Sequence, residues 1–200
     1  MAAAKTCGNE DALGSEFFAM HLSGGTTELV LARRDAEVGF GAKIVGETAD
    51  ISAGQLVDRA GVMLGLKFPC GGELEKLAAG AENIKGIKPL RVILREGRVN
   101  MSGAENRVAS LIASGESAQR IAYFTLDFVA KNVIALAENA RAEAPSLPII
   151  FAGGVMRNKI IREKITSKLK NVFFADVELS SDNAVGTAYL GLEKLMGGKI

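Results

Sequence analysis

A chain of 200 residues with 48% hydrophobic and 24% charged side chains is large enough for one folded domain or one substantial lobe of a larger protein. Its formal net charge of +1 gives no general electrostatic pull towards nucleic acid, so any RNA contact must come from a local patch or a partner. No apolar run approaches the roughly 18–20 residues needed to span a bilayer, so no membrane association is expected.

Met1–Glu16 is polar and Gly-containing, without the apolar core of a signal peptide, and reads as a poorly ordered lead or the remnant of a preceding segment. Phe17–Leu22 predicts the first strand. It carries His21, the single histidine of the chain. That excludes HExxH and other two-histidine metal motifs. A Ser-His-Asp triad would have to use His21, whose place in an apolar strand pattern predicts a buried, hydrogen-bonded histidine instead. Ser23-Gly24-Gly25-Thr26-Thr27 makes a tight turn, Glu28–Arg33 runs back, and Val38–Val45 is a short third strand. Two readings of the turn stand. It can hold a phosphate, with its N–H groups aimed at the anion and Ser and Thr hydroxyls as further donors. It can equally be an ordinary hairpin with Gly-Gly for positive φ.

Asp50–Leu66 repeats Ala53, Leu56, Val57, Ala60, Met63 and Leu64 at helical spacing, with Gln55 and Asp58 towards one end. Pro69-Cys70-Gly71-Gly72 breaks it, and Glu73–Ala79 restarts as a short helix. Cys7 and Cys70 form no CxxC pair or disulfide framework, so a reducing, cytoplasmic compartment is expected. Ala81–Asn106 is irregular around a hairpin over Leu90–Leu94 and Arg98–Met101. Its cations Lys85, Lys88, Arg91, Arg95 and Arg98 suit either a solvated insertion or contact with RNA or a partner. Ser102-Gly103 is a turn, Ala104–Ala113 a helix, and Glu116–Ala144 the longest helix. Leu147–Phe151 is then a fully buried strand, ended by Gly153-Gly154. Asn158 opens a helix over Lys159–Leu169. Asn171–Ala175 is the last strand, and Ser180–Asn183 caps a helix over Ala184–Met196.

Three antiparallel strands followed by alternating helix and strand predict an α/β lobe over residues 17–200. It has a mixed five-stranded sheet, helices on both faces and an insertion at about 80–106. The buried strand, Gly-Gly turn and helix start at Ser146–Asn158 expose backbone N–H groups at the sheet's carboxyl edge, where a ligand can approach; tight packing is the other reading of those glycines. The Ser-Gly-Gly turn, the helix starts and a capped Asp182 then converge on one cleft.

Six segments occur in order: L-S-G-G-T-T-E-L (Leu22–Leu29), A-G-Q-L-V-D-R (Ala53–Arg59), L-G-L-K-F-P-C-G-G (Leu64–Gly72), M-S-G (Met101–Gly103), A-G-G-V-M-R-N (Ala152–Asn158) and S-D-N-A (Ser181–Ala184). Together they resemble the C-terminal part of the TsaD family, the tRNA threonylcarbamoyladenosine transferases once called O-sialoglycoprotein endopeptidases. The resemblance implies the actin-like ATPase fold of sugar kinases and heat-shock ATPases, whose two lobes enclose a nucleotide. It places Ser23, Gly24 and Gly25 along the substrate phosphates, with His21 and Leu22 on the strand leading in. Asp58 corresponds to the ribose-contacting aspartate, Gly71 to the glycine beside the nucleoside, Asn158 to the asparagine at the adenylate, and Asp182 to a metal-ligating aspartate. The ligand implied is ATP or threonylcarbamoyl-adenylate, with a divalent metal such as Fe, Mg or Zn. The partners implied are a related actin-like-fold protein (TsaB-like) or a second copy, with tRNA met indirectly.

The departures carry expectations too. The family's two metal-binding histidines lie upstream of the Ser-Gly-Gly turn, and His21 is the only histidine here, so the N-terminal lobe is expected to lie outside this sequence and the metal site to be incomplete. The usual S-G-G-H-T is S-G-G-T-T, G-E-A-F-D-K is G-Q-L-V-D-R with neutral Gln55, and S-G-L-K-T is S-G-A-E-N, which puts Glu105 in a lysine's place and weakens anion binding. Two functions follow: a lobe acting in threonylcarbamoyl transfer to a tRNA adenine, or a non-catalytic scaffold that heterodimerises with a related protein. A protease reading finds no nucleophile–base pair.

Overall fold

Phe17–Leu22 forms β1, whose alternation sends Phe18, Met20 and Leu22 to one face and Phe17, Ala19 and His21 to the other. In a computed structural model describing residues 16–35, 39–81, 84–176 and 184–196, this strand lies inside a mixed sheet. β2 (Thr27–Asp35) pairs antiparallel with it, Leu22 opposite Thr27, and β3 (Gly39–Thr48) pairs antiparallel with β2. On the other side β6 (Ile149–Ala152) runs parallel to β1, His21 level with Ala152, and β7 (Val172–Phe174) runs parallel to β6.

The sheet has seven strands rather than the expected five, in the order β4-β5-β3-β2-β1-β6-β7. The extra pair is the hairpin of the irregular segment, β4 (Leu94–Arg95) and β5 (Arg98–Val99). It joins because β3 runs on to Thr48 and leaves an unpaired edge, which β5 covers in parallel. Glu47 N donates to Gly97 O at 3.0 Å and Ala49 N to Val99 O at 2.9 Å. A surface insertion is thereby also a part of the sheet.

The helices are α1 (Ala53–Met63), α2 (Gly71–Ala79), α3 (Ser102–Ala113), α4 (Ala118–Arg141), α5 (Lys159–Lys168) and α6 (Ala184–Leu195). α4 is the main core helix. Its Leu126, Val129, Val133 and Leu136 are buried with Phe18, Met20, Leu22 and Leu29 of the sheet and Ile149 and Phe151 of β6. Each such side chain contributes about 1.5–3 kcal/mol of burial, so this face sets the packing and the polar contacts only refine it. Thr125 and Asn132, read into the apolar face, are buried by returning hydrogen bonds to Ile121 O (2.9 Å) and Phe128 O (2.8 Å).

Three local expectations change. α1 starts at Ala53, not Asp50, because Ser52 is its N-cap. Asp50 instead accepts from Met101 N (2.8 Å), Ser102 N (3.0 Å) and Ser102 Oγ (2.6 Å), which starts α3 at Ser102 where a turn was expected. His21 is exposed rather than buried: on the face opposite Met20 and Leu22, Phe17 is covered but His21, near the end of the strand, is not. The lead expected over Met1–Glu16 (all but Glu16), Cys7, the Ser180–Asn183 cap and Asp182 lie outside the described residues.

Candidate functional site

The Ser23–Thr26 turn is built around one hydroxyl. Ser23 Oγ accepts from Thr26 N at 3.1 Å and Gly25 N at 3.3 Å, while Ser23 N donates to Thr26 O at 2.8 Å. Two of the N–H groups expected to face an anion are thus turned inwards. With its lone pairs engaged, the Ser23 hydroxyl is left to donate outwards. Gly24 and Gly25 are exposed, with open space where a side chain would stand.

This turn sits on the N-terminus of α1. Ala53 N donates to Thr27 Oγ1 at 2.8 Å, Gly54 N to Ser23 O at 3.2 Å, and Ser52 Oγ to Gly24 O at 2.8 Å. Ser52 Oγ accepts from Gln55 N at 3.1 Å and Gln55 Oε1 from Ser52 N at 3.0 Å, a capping box. The first N–H groups of α1 are therefore spent on the turn and the cap. Gln55, where the family has Glu, completes that box without a charge. Gly54 is required by space: a Cβ there would stand 2.4 Å from Ser23 O and 2.6 Å from Gly24 Cα.

The second turn approaches from β6. Gly153 has φ 101°, and a Cβ on it would fall 2.1 Å from Leu22 O. Glycine satisfies both the positive φ and the contact. It presses the end of β6 against the residue before Ser23. Leu22 is fully buried, so only its backbone lies near the turn. Gly154–Arg157 forms a single 3-10 turn. Asn158 then caps α5, its Oδ1 accepting from Ile161 N at 3.0 Å, and is itself 7% exposed. Glu75 of α2 accepts from Lys159 N at 2.7 Å, tying α2 to the same helix start.

Asp58 lies one helical turn along α1 from the Ser-Gly-Gly turn. Its Oδ1 accepts from Cys70 N at 2.7 Å, immediately before α2. Burial, and then the Asp58 carboxylate, push the Cys70 thiol up from its ordinary value. Gly71 opens α2 beside Val57 with otherwise free space. Glu105, expected to repel anions, is held by Arg59 Nη1 at 2.8 Å, so its charge is partnered.

The elements that carry Ser23, Gly24, Gly25, Asp58, Gly71 and Asn158 are thus joined: turn to α1, α1 to α2, α2 to α5, and β6 to β1. His21 leads into the turn on β1. Among the described residues no group of three His, Cys, Asp or Glu side chains is placed to hold a metal ion. Gly54 and Glu75 were not singled out from the sequence; Gly153 and Thr27 were read there only as members of their turns.

The fold these elements define is the actin-like ATPase fold. HypF of T. kodakarensis shares it with a TM-score of 0.73 at 14% identity over 98% of this chain and 36% of its own. The activator of the 2-hydroxyisocaproyl-CoA dehydratase from Clostridium difficile, with bound ADPNP, shares it at TM-score 0.57 and 14% identity, over 92% of this chain and 63% of its own. Residues 4–189 match the family model "TsaD: tRNA N6-adenosine threonylcarbamoyltransferase", and the chain belongs to that family. It is 30% identical over 193 residues to the tRNA N6-adenosine threonylcarbamoyltransferase of Wolbachia pipientis wMel, covering 90% of this chain and 56% of that one. To that of Thermotoga neapolitana it is 32% identical over 190 residues, covering 91% and 57%. The chain spans about half the length of the curated relatives it matches. No helix among the described residues is long and apolar enough to cross a membrane.

Proposed function

We propose that this chain binds the adenylate in a TsaD-type threonylcarbamoyl transfer to a tRNA adenine. The supporting observation is the contact chain that seats the Ser23–Gly25 turn on α1 and brings Gly153 against Leu22, so that family motif residues distant in sequence share one edge of the sheet. In this reading the Ser23 hydroxyl and the open space over Gly24 and Gly25 lie along the phosphates, and His21 and Leu22 hold that turn at the end of β1. Asp58, with Oδ1 held by Cys70 N–H, offers Oδ2 to a ribose hydroxyl. The space at Gly71 admits the nucleoside. Asn158, whose Oδ1 is engaged by Ile161 N–H, offers its amide hydrogens to the adenylate.

In the transfer, the adenine amine bonds to the carbamoyl carbon, the carbon–oxygen bond to the phosphate breaks, and AMP leaves as the amine loses a proton. The residues named here bind and orient the donor, which is a large part of such catalysis. The described residues contain no ligand set that fits a metal, and no step is assigned to one. Asp182 remains the proposed metal-side carboxylate. The exposed apolar side chains Ile44, Leu192 and Leu195 support a second protein surface, either a related actin-like-fold protein or a second copy, against which this lobe works.

The test is calorimetry of the chain with ATP and Mg²⁺, beside the Asn158→Asp variant. Aspartate caps a helix as well as asparagine, so folding is kept while an anion replaces the amide donor. Binding by the parent and marked weakening in the variant are expected. No binding by the parent sinks the nucleotide assignment.

A further inference from the structure

Between Ile84 and Val99 the chain carries Lys85, Lys88, Arg91, Arg95 and Arg98 against the single acid Glu96, a net of +4 where the whole chain has +1. The remaining residues therefore sum to −3, although residues 157–170 form a second basic segment with six cations against Glu163. Arg98 is neutralised by Glu47 at 2.7 Å. Among the described residues no carboxylate pairs with Lys88, Arg91 or Arg95.

The segment is extended. Leu90, Val92 and Leu94 are half-buried against the core, while Arg91, Ile93 and Arg95 are exposed, a period of two. It ends in β4, the outermost strand on its side of the sheet. The two arginines thus project from the same side, roughly 13 Å apart at about 3.3 Å per residue. A shallow recess of about 410 Å³ runs along Arg91–Arg95. Guarding a sheet edge against pairing needs a charge, but not two like-facing, unpaired arginines beside a recess.

We propose that this edge binds the phosphate backbone of RNA, with Arg91 and Arg95 as the contacting cations. The guanidinium fork fits phosphate oxygens, and a regularly charged polyanion is the ligand that two well-separated, like-facing arginines can both engage. The choice of RNA among polyanions rests on the proposed function; the placement rests on charge and geometry alone.

The test is fluorescence anisotropy of a labelled, unmodified tRNA transcript titrated with the chain over a range of KCl. The pair Arg91→Gln/Arg95→Gln is compared with Lys168→Gln/Lys170→Gln, which removes equal charge from exposed positions elsewhere. In the arginine variant, affinity falls by roughly tenfold per side chain near 0.1 M salt, and the log–log salt slope becomes shallower by about one per side chain. Arg91→Lys/Arg95→Lys recovers much of both. Equal loss in the lysine control, no loss in the arginine variant, or no tRNA binding by the parent overturns the proposal. So does an arginine variant that binds tRNA normally but aggregates, which would make the arginines edge guards only. ATP calorimetry on the same variants separates the two readings: ATP binding lost in the parent with the RNA result intact removes only the nucleotide site.

Discussion

Gly54 lies so close to Ser23 that a single Cβ on it would stand 2.4 Å from the Ser23 carbonyl oxygen, inside any allowed contact. The atom it would strike is backbone, and the same carbonyl accepts the Gly54 N–H at 3.2 Å. The Ser-Gly-Gly turn and the start of α1 are therefore one unit. Gly54→Ala must push them apart and should cost about 1–3 kcal/mol. Thermal unfolding will report that loss, and ATP calorimetry should show a fall in affinity beyond it, because the turn itself moves. An alanine variant with parental stability and affinity would show that the contact is slack.

Arg59 and Glu105 form an ion pair between α1 and α3. Their side chains are 47% and 27% exposed, so screening keeps the coupling small. A double-mutant cycle with Arg59→Gln and Glu105→Gln should return about 0.2–1 kcal/mol at low salt, declining in 1 M NaCl. Glu105→Gln alone frees the guanidinium and should strengthen ATP binding modestly. A weakening would argue that Arg59 is turned away from the ligand.

Asp127 of α4 is clamped between Lys131 at 2.6 Å and Lys164 of α5 at 2.7 Å. Burial raises its pKa, but hydrogen bonds and charge from the two lysines outweigh it and hold the carboxyl below 3.8. A lowered folded value means stability that is present above about pH 4 and lost as pH falls through the folded pKa. Lys164 has the opposite sign. Burial depresses it, yet Asp127 and Tyr123 raise it above 10.5, so its contribution is full below that pH and is lost on the alkaline side. Asp127→Asn should remove part of both losses. The measurement is urea unfolding between pH 3 and 11, and an unchanged variant profile would refute the linkage.

Asp50 adds to the acid limb by another route. Burial raises its pKa, but hydrogen bonds from Met101, Ser102 and Ile51 together bring it below 3.8. As the cap of α3 it should be worth about 0.5–2 kcal/mol at neutral pH. Asp50→Ala should lose that amount and flatten the fall in stability below pH 4. A loss confined to pH 3 would contradict the capping role.

α6 packs on β3 and leaves Leu190, Leu192, Leu195 and Met196 exposed, 86% in the case of Leu195; Ile44 of β3 is exposed as well. Light scattering at micromolar concentration should show self-association that Leu192→Glu/Leu195→Glu removes. A monomeric parent would count against an uncovered interface.

The sequence alone determined the elements whose signal is local. The apolar run Phe17–Leu22, the helical repeat of α1, the Ser-Gly-Gly and Gly-Gly turns and the Asn158 helix start were legible because apolar patterning and turn chemistry act over a few residues. Their order also carried the family. What tertiary structure decided lies at longer range. Asp50 belongs to α3 through bonds to residues 51 and 52 positions away, not to the helix it precedes. Glu105 is partnered by Arg59, 46 residues distant, which no reading of its charge in isolation could foresee. The hairpin became sheet because β3 left an edge to cover, and His21 emerged exposed because the strand pattern fixes which face a residue takes but not what covers that face. The close approach of Gly54 to Ser23 is of the same kind. A glycine inside a helix carries no local sign of the backbone it meets, and only the docking of one turn on one helix end makes its missing side chain a requirement.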